Sequence, residues 1–181
     1  SDYGKGCALL ELTAGGEAKE VYFSDELQNH HGGVILIDER IYGHSGGNDE
    51  SSHRFVCMDF QTGKVLWKDT RLGKCSIVYA DGHLYALTQD GIMSLVKVSA
   101  ERLEIRSRFT FKKYERFRTG GLEDVDEKPT WTHPVVAAKK LYLRGRDYVL
   151  DALDVRYPGF KVAATEGDVS PYLPSTGEED V

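Results

Sequence analysis

A ten-residue pattern recurs three times in this chain and needs no gaps to align. Residues 33–42 read Gly-Val-Ile-Leu-Ile-Asp-Glu-Arg-Ile-Tyr, residues 76–85 read Ser-Ile-Val-Tyr-Ala-Asp-Gly-His-Leu-Tyr, and residues 133–142 read His-Pro-Val-Val-Ala-Ala-Lys-Lys-Leu-Tyr. Each copy is a mostly apolar run, a turn, then an apolar residue followed by Tyr. Tyr42 and Tyr85 are 43 residues apart, and Tyr85 and Tyr142 are 57 apart. The first interval matches the ~40–45 residues of a four-stranded repeat unit. The second is longer, and the polar stretch 119–128 accounts for the insertion. A chain of such units must bury its apolar faces by stacking neighbours.

The rest of each unit is also built from short β runs bounded by Gly, Asp and Asn. Cys7 to Leu12, Val21 to Phe23, Val34 to Ile37, Ile41 to Gly43, Phe55 to Phe60 and Val65 to Trp67 all read as strands. Leu103, Ile105, Phe109 and Phe111 alternate with Glu104, Arg106, Arg108 and Lys112, which predicts a strand with one buried face. Residues 24–31 are the best helical candidate, one or two turns capped by Ser24. Gly43 to Gly47 reads as the start of a hairpin loop running on to Ser52. Residues 156–181 hold three of the five prolines and end in acids, and are expected to form an extended acidic tail.

Composition excludes several classes. The chain has 181 residues with a formal charge of −6, a poor match to a nucleic-acid binder. No apolar run approaches the ~18 residues of a membrane span. Cys7, Cys57 and Cys75 form no C-x-x-C, so the zinc and thioredoxin signatures are missing. There is no G-x-S-x-G elbow, and Gly43-His44-Ser45-Gly46-Gly47 lacks the Lys of a phosphate loop. Asp124-Val125-Asp126 lacks the rest of a calcium loop and reads as solvated. These readings assign no catalytic residue and no metal ligand. Seven Lys or Arg face two Glu between Arg102 and Arg118, while residues 166–181 carry five acids and no base. The basic stretch reads as a solvated outer strand face, with the acidic tail a possible anionic partner for it.

One stretch carries a more specific motif. From Cys57 to Trp67 the order is a small residue at Cys57, Asp59, Thr62-Gly63 and Trp67. This resembles the tryptophan-docking motif of the PQQ-type quinoprotein β-propellers, and the resemblance spans roughly residues 3–155. Thr62-Gly63 would turn the outer hairpin of a blade, and Trp67 would fill the wedge against the next blade. The expected fold is all-β, a partial β-propeller of four-stranded antiparallel blades. The pieces lie at 3–23, 33–68, 75–118 and 131–155, thirteen strands in all. Because propellers close at 4–8 blades, missing sequence or another chain is expected to complete the ring.

In such a ring the residues just before each innermost strand lie on one rim of the central channel. The alignment puts His31, Lys74 and Trp131 at equivalent places, with His30 and His133 beside them. These five form a candidate ligand-binding rim. Adjacent His30 and His31 would point to opposite faces of an extended chain, which weighs against a metal pair. The resemblance implies a non-catalytic scaffold in a periplasmic or otherwise extracytoplasmic compartment, since bacterial members of the family carry these repeats without a quinone. Its expected partners are a protein or the remaining blades, with neither nucleic acid nor a membrane span. Two alternatives remain open. One is part of a PQQ-dependent alcohol or sugar dehydrogenase, an oxidoreductase with PQQ and calcium held mostly outside this chain; the vicinal cysteines of that group are absent. The other is a small-ligand-binding propeller.

Overall fold

The computed structural model describes residues 3–47, 52–110, 130–144 and 149–154, the last as backbone. They form four antiparallel sheets, none of them closed, with each strand hydrogen-bonded to its neighbour in sequence. Sheet I holds β1 (Cys7–Leu12) and β2 (Ala18–Ser24). Sheet II holds β3 (Val34–Ile37), β4 (Arg40–Ser45), β5 (Arg54–Asp59) and β6 (Val65–Asp69). Sheet III holds β7 (Cys75–Ala80), β8 (His83–Thr88), β9 (Ile92–Lys97) and β10 (Glu104–Thr110). Sheet IV holds β11 (Val135–Ala137), β12 (Lys140–Arg144) and β13 (Val149–Asp154).

The turn inside each recurring segment has one geometry. Asp38-Glu39, Asp81-Gly82 and Ala138-Lys139 all have positive φ at both positions. That is the two-residue hairpin whose twist matches the flanking strands. Asp and Gly adopt it readily; Ala138 and Lys139 do so at a steric cost.

The sheets pack face on face in chain order. Sheet II turns Val56 and Met58 toward sheet I, where they meet Cys7 with Leu27, Ile41 and Val65. Its other face sends Ile35, Ile37, Tyr42, Phe55, Cys57 and Trp67 against Cys75, Ile77, Leu84, Ala86 and Val96 of sheet III. Sheet III then turns Val78, Ala80, Tyr85, Leu87, Met93 and Phe109 toward Val136, Leu141 and Leu143 of sheet IV. This explains why Phe55, Val56, Cys57 and Met58 are all fully buried although side chains alternate along a strand. Each large one removed from water contributes about 1.5–3 kcal/mol. The first strands of the sheets converge, with β7 lying beside both β3 and β11.

Three local expectations are corrected. Residues 24–31 contain no helix. Ser24 Oγ does accept from Glu26 N at 3.3 Å, but Gln28 N then turns to Ser45 Oγ at 2.9 Å and Gly46 N donates to Gln28 O at 3.1 Å. The backbone groups a helix would use are taken by the end of β4. For the same reason Gly43, His44 and Ser45 belong to β4 rather than to a loop. The alternation after Leu103 does not define one buried face either. A bulge at Arg106 shifts the register, so Ile105 pairs with Val96 and Ser107 with Leu95. Ile105 therefore faces sheet II and Phe109 faces sheet IV.

The insertion expected at 119–128, the basic stretch beyond Thr110 and the tail 156–181 lie outside the described residues.

Candidate functional site

The site begins with the loop between β2 and β3. Asn29 holds it by both ends of its side-chain amide. Its Nδ2 donates to Gly33 O and His44 O, each at 3.0 Å, and its Oδ1 accepts from Gly33 N at 3.0 Å. Gly33 has φ +68°, a conformation that suits glycine. Gly32 is buried against β7, and a Cβ there would lie 1.9 Å from Cys75 O. The loop is thus pinned to the start of β7 by backbone contact, with His30 and His31 at its crest.

Lys74 immediately precedes β7, and Trp131 and His133 precede β11. Two backbone bonds set their level, Gln89 N to Lys74 O at 2.9 Å and Thr130 N to Gln89 O at 2.8 Å. The five residues singled out by repeat alignment come together. Lys74 Nζ lies 2.6 Å from His30 Nδ1 and 5.7 Å from the centre of the Trp131 ring. The His30 and His31 rings are 3.7 Å apart, and His31 stacks on Trp131 at 4.8 Å and 28°. His133 Nε2 lies 3.1 Å from His31 O, across 102 positions of sequence.

The expectation that His30 and His31 diverge is corrected by that 3.7 Å separation. The chain bends at these residues, so the strand rule does not apply. Lys74 is only 7% exposed. An ammonium has donors only, so Nδ1 of His30 accepts from it and the ring proton sits on Nε2. That nitrogen lies 3.0 Å from the hydroxyl of Tyr3, a member of the site that no repeat signal marks. Gln28 is a second such member; its side-chain oxygen accepts from Gly4 N at 3.0 Å and ties the Tyr3 turn to the loop.

The outcome is a ladder of rings, Tyr3, His30, His31 and Trp131, beside one buried ammonium. His31 and Trp131 are exposed. Such a surface offers stacking faces and polar donors. Its described members include no Ser, Cys, Asp or Glu, so no activated nucleophile is assembled from them. Next to it lies a polar cavity of about 590 Å³ lined by Tyr3, Asp25, Glu26, Ser45, Arg54 and Lys68 among others. Lys68 and Glu26 form an ion pair on its wall.

The Cys57–Trp67 motif is a separate, structural arrangement. Asp59 Oδ1 accepts from Thr62 N at 2.8 Å and from Thr62 Oγ1 at 2.6 Å, while Gly63 N bonds Asp59 O at 3.0 Å. The two Thr62 bonds hold the Asp59 carboxyl below its ordinary range. Gly63 has φ +68°, and an added Cβ would strike the Tyr22 ring of sheet I at 2.7 Å. Cys57 lies between Tyr42 and Trp67 in the register of sheet II. Trp67 Nε1 donates to Ser99 O at 3.1 Å, bridging sheet II to sheet III. Burial raises the thiol of Cys57 and pushes that of Cys75 up to about 12.

Among the described residues no three His, Cys, Asp or Glu side chains converge as a cation cage. No protein-family model matches this sequence, and no curated protein matches it.

Proposed function

We propose that this chain is part of a quinoprotein-like β-propeller that serves as a non-catalytic scaffold for protein–protein contact in an extracytoplasmic compartment. One observation carries the reading. The first two copies of the recurring segment turn the same three positions toward the following sheet. Ile35, Ile37 and Tyr42 pack on sheet III, and Val78, Ala80 and Tyr85 pack on sheet IV. Their counterparts on sheet IV are Val135, Ala137 and Tyr142. All three are exposed, Val135 at 51% and Tyr142 at 37%. Among the described residues sheet IV thus presents the face that elsewhere holds the next sheet, which supports a stack continued by further blades, from missing sequence or another chain. The compartment rests on the family resemblance alone.

The described residues do not fit the quinone and calcium of the enzymatic members. Cys7, Cys57 and Cys75 are free thiols in three different sheets, and no acidic cage is formed among the described residues. The test is to add PQQ and calcium to the protein, and follow the quinone absorbance and dye-linked oxidation of alcohols. No turnover is expected; dye reduction would overturn the scaffold reading.

The exposed His31–Trp131 stack favours a second reading, small-ligand binding at the ring ladder. With Trp67 replaced by Phe, Trp131 is the sole tryptophan, and its fluorescence reports ligands directly. A panel of sugars and planar heterocycles that leaves the signal unchanged would remove this reading.

A further inference from the structure

The polar cavity beside the ring ladder belongs neither to the sheet-on-sheet contacts nor to the His31–Trp131 stack. Sheet II builds most of its wall. Ser45 on β4 pairs with Arg54 on β5, and Lys68 on β6 pairs with Val56, two residues on from Arg54. Paired residues on neighbouring strands share a face, as do residues two apart on one strand. Ser45, Arg54 and Lys68 therefore lie on the side of sheet II that turns Val56 and Met58 toward sheet I. Asp25 and Glu26 close the wall from the loop after β2, and Tyr3 closes it from the turn before β1. Two cations and two carboxylates thus line about 590 Å³ of space. Only half of them are matched. Lys68 is paired with Glu26. Among the described residues neither the Arg54 guanidinium nor the Asp25 carboxylate has a hydrogen bond or an ion pair. Arg54 is half-buried, where an uncompensated charge costs more than at the surface. Tyr3 adds a polar donor. Nε2 of His30 carries the ring proton and donates to the Tyr3 hydroxyl, so the hydroxyl keeps its own hydrogen for a guest.

We propose that this cavity binds a small zwitterion, the α-ammonium and carboxylate of a free amino acid or of a short peptide. Arg54 takes the carboxylate through its fork of N–H donors, and Asp25 takes the ammonium. The two unmatched wall charges sum to zero. A guest with one charge of each sign satisfies both, whereas an anion alone would face Asp25 and a cation alone would face Arg54. An uncharged guest would leave both without an ion pair. The volume falls within the ~300–1,000 Å³ of small-ligand sites. The inference goes beyond the scaffold reading and does not depend on it. It also concerns a different place from the face of Trp131.

The test is saturation-transfer NMR of the 181-residue chain with each standard L-amino acid and with dialanine as probes. At least one probe should bind with a Kd at or below about 1 mM. Binding of a free amino acid supports the proposal with the monomer as source; binding of dialanine alone supports it with peptide termini as source. For the probe that binds, the amide lacks the carboxylate and the N-acetyl derivative lacks the ammonium. Each should bind about tenfold or more weakly, the loss of one charge-assisted contact. Two variants place the charges. Arg54→Gln should bind the parent probe and its amide alike, and Asp25→Asn should bind the parent and its N-acetyl derivative alike. A merely structural disturbance would weaken every probe together. Asp25 is exposed, so Asp25→Asn should keep the fold, and far-UV circular dichroism checks Arg54→Gln. No binding of any probe at about 10 mM overturns the proposal. So does a parent probe that loses nothing on amidation or acetylation, or losses that persist unchanged in both variants. None of these results bears on dye-linked turnover, which tests the scaffold reading.

Discussion

Replacing Gly32 by Ala tests the contact that pins the site loop to β7. The added Cβ would sit 1.9 Å from Cys75 O, 3.0 Å from Cys75 C and 3.4 Å from Ser76 Cα. Ordinary C···O contact is about 3.3 Å or more, so the deficit is about 1.4 Å. The obstructing atom is a backbone carbonyl in β7, paired with β8, and cannot swing aside as a side-chain tip would. The loop and β7 must separate, and overpacking of this kind costs about 1–3 kcal/mol or more. We expect the upper end, about 3 kcal/mol, which lowers Tm by about 6–12 °C in a chain of this size. Gly15→Ala is the matched control. Its nearest neighbour would be Thr13 Oγ1 at 3.8 Å, and like Gly32 it is outside the left-handed region. Both changes restrict the unfolded chain equally, a gain of about 0.4–1 kcal/mol. The control should therefore melt at or slightly above wild type. Thermal melts by circular dichroism give the comparison. Trp131 fluorescence gives a second readout, since opening this contact draws Lys74 away from His30. Equal melting of Gly32→Ala and Gly15→Ala would refute the reasoning.

Four further outcomes are expected. Trp67→Phe removes the bond to Ser99 O and part of the ring volume between sheets II and III, so urea titration should show a loss of about 1–2 kcal/mol with an unchanged m-value. Asp59→Asn should lower Tm at neutral pH. Because the Asp59 carboxyl is held below its ordinary range, its contribution is fully present above about pH 4 and is lost as pH falls through the folded value, so the two melting curves should converge once the pH lies below that value. A thiol reagent at pH 8 should label half-buried Cys7 first, with Cys57 and Cys75 modified at the rate of unfolding, because these two are enclosed. Ala138→Asn with Lys139→Gly should raise stability by about 1 kcal/mol, read as a Tm gain of about 2–4 °C, since both residues now hold positive φ against their steric preference.

What the sequence makes legible here is what depends on neighbouring residues alone. Strand positions and the three equivalent turns follow from apolar runs and turn residues. The meeting of His31, Lys74 and Trp131 follows from their shared offset in the repeat. The bulge at Arg106 is hidden because an arginine fits the polar slot of an unbroken alternation equally well. The loop before β3 looks helical because its stabilising partners, Ser45 and His44, are distant in sequence. Tyr3 joins the site from outside any repeat, so no offset points to it. Burial is the least legible property, and Val34, Ile77 and Pro134 show why. They occupy one position in three copies, and all are apolar, yet the first is half exposed and the other two are enclosed. The difference lies in the preceding sheet: four-stranded before Ile77 and Pro134, and two-stranded before Val34. Exposure at that position measures what stands beside the chain.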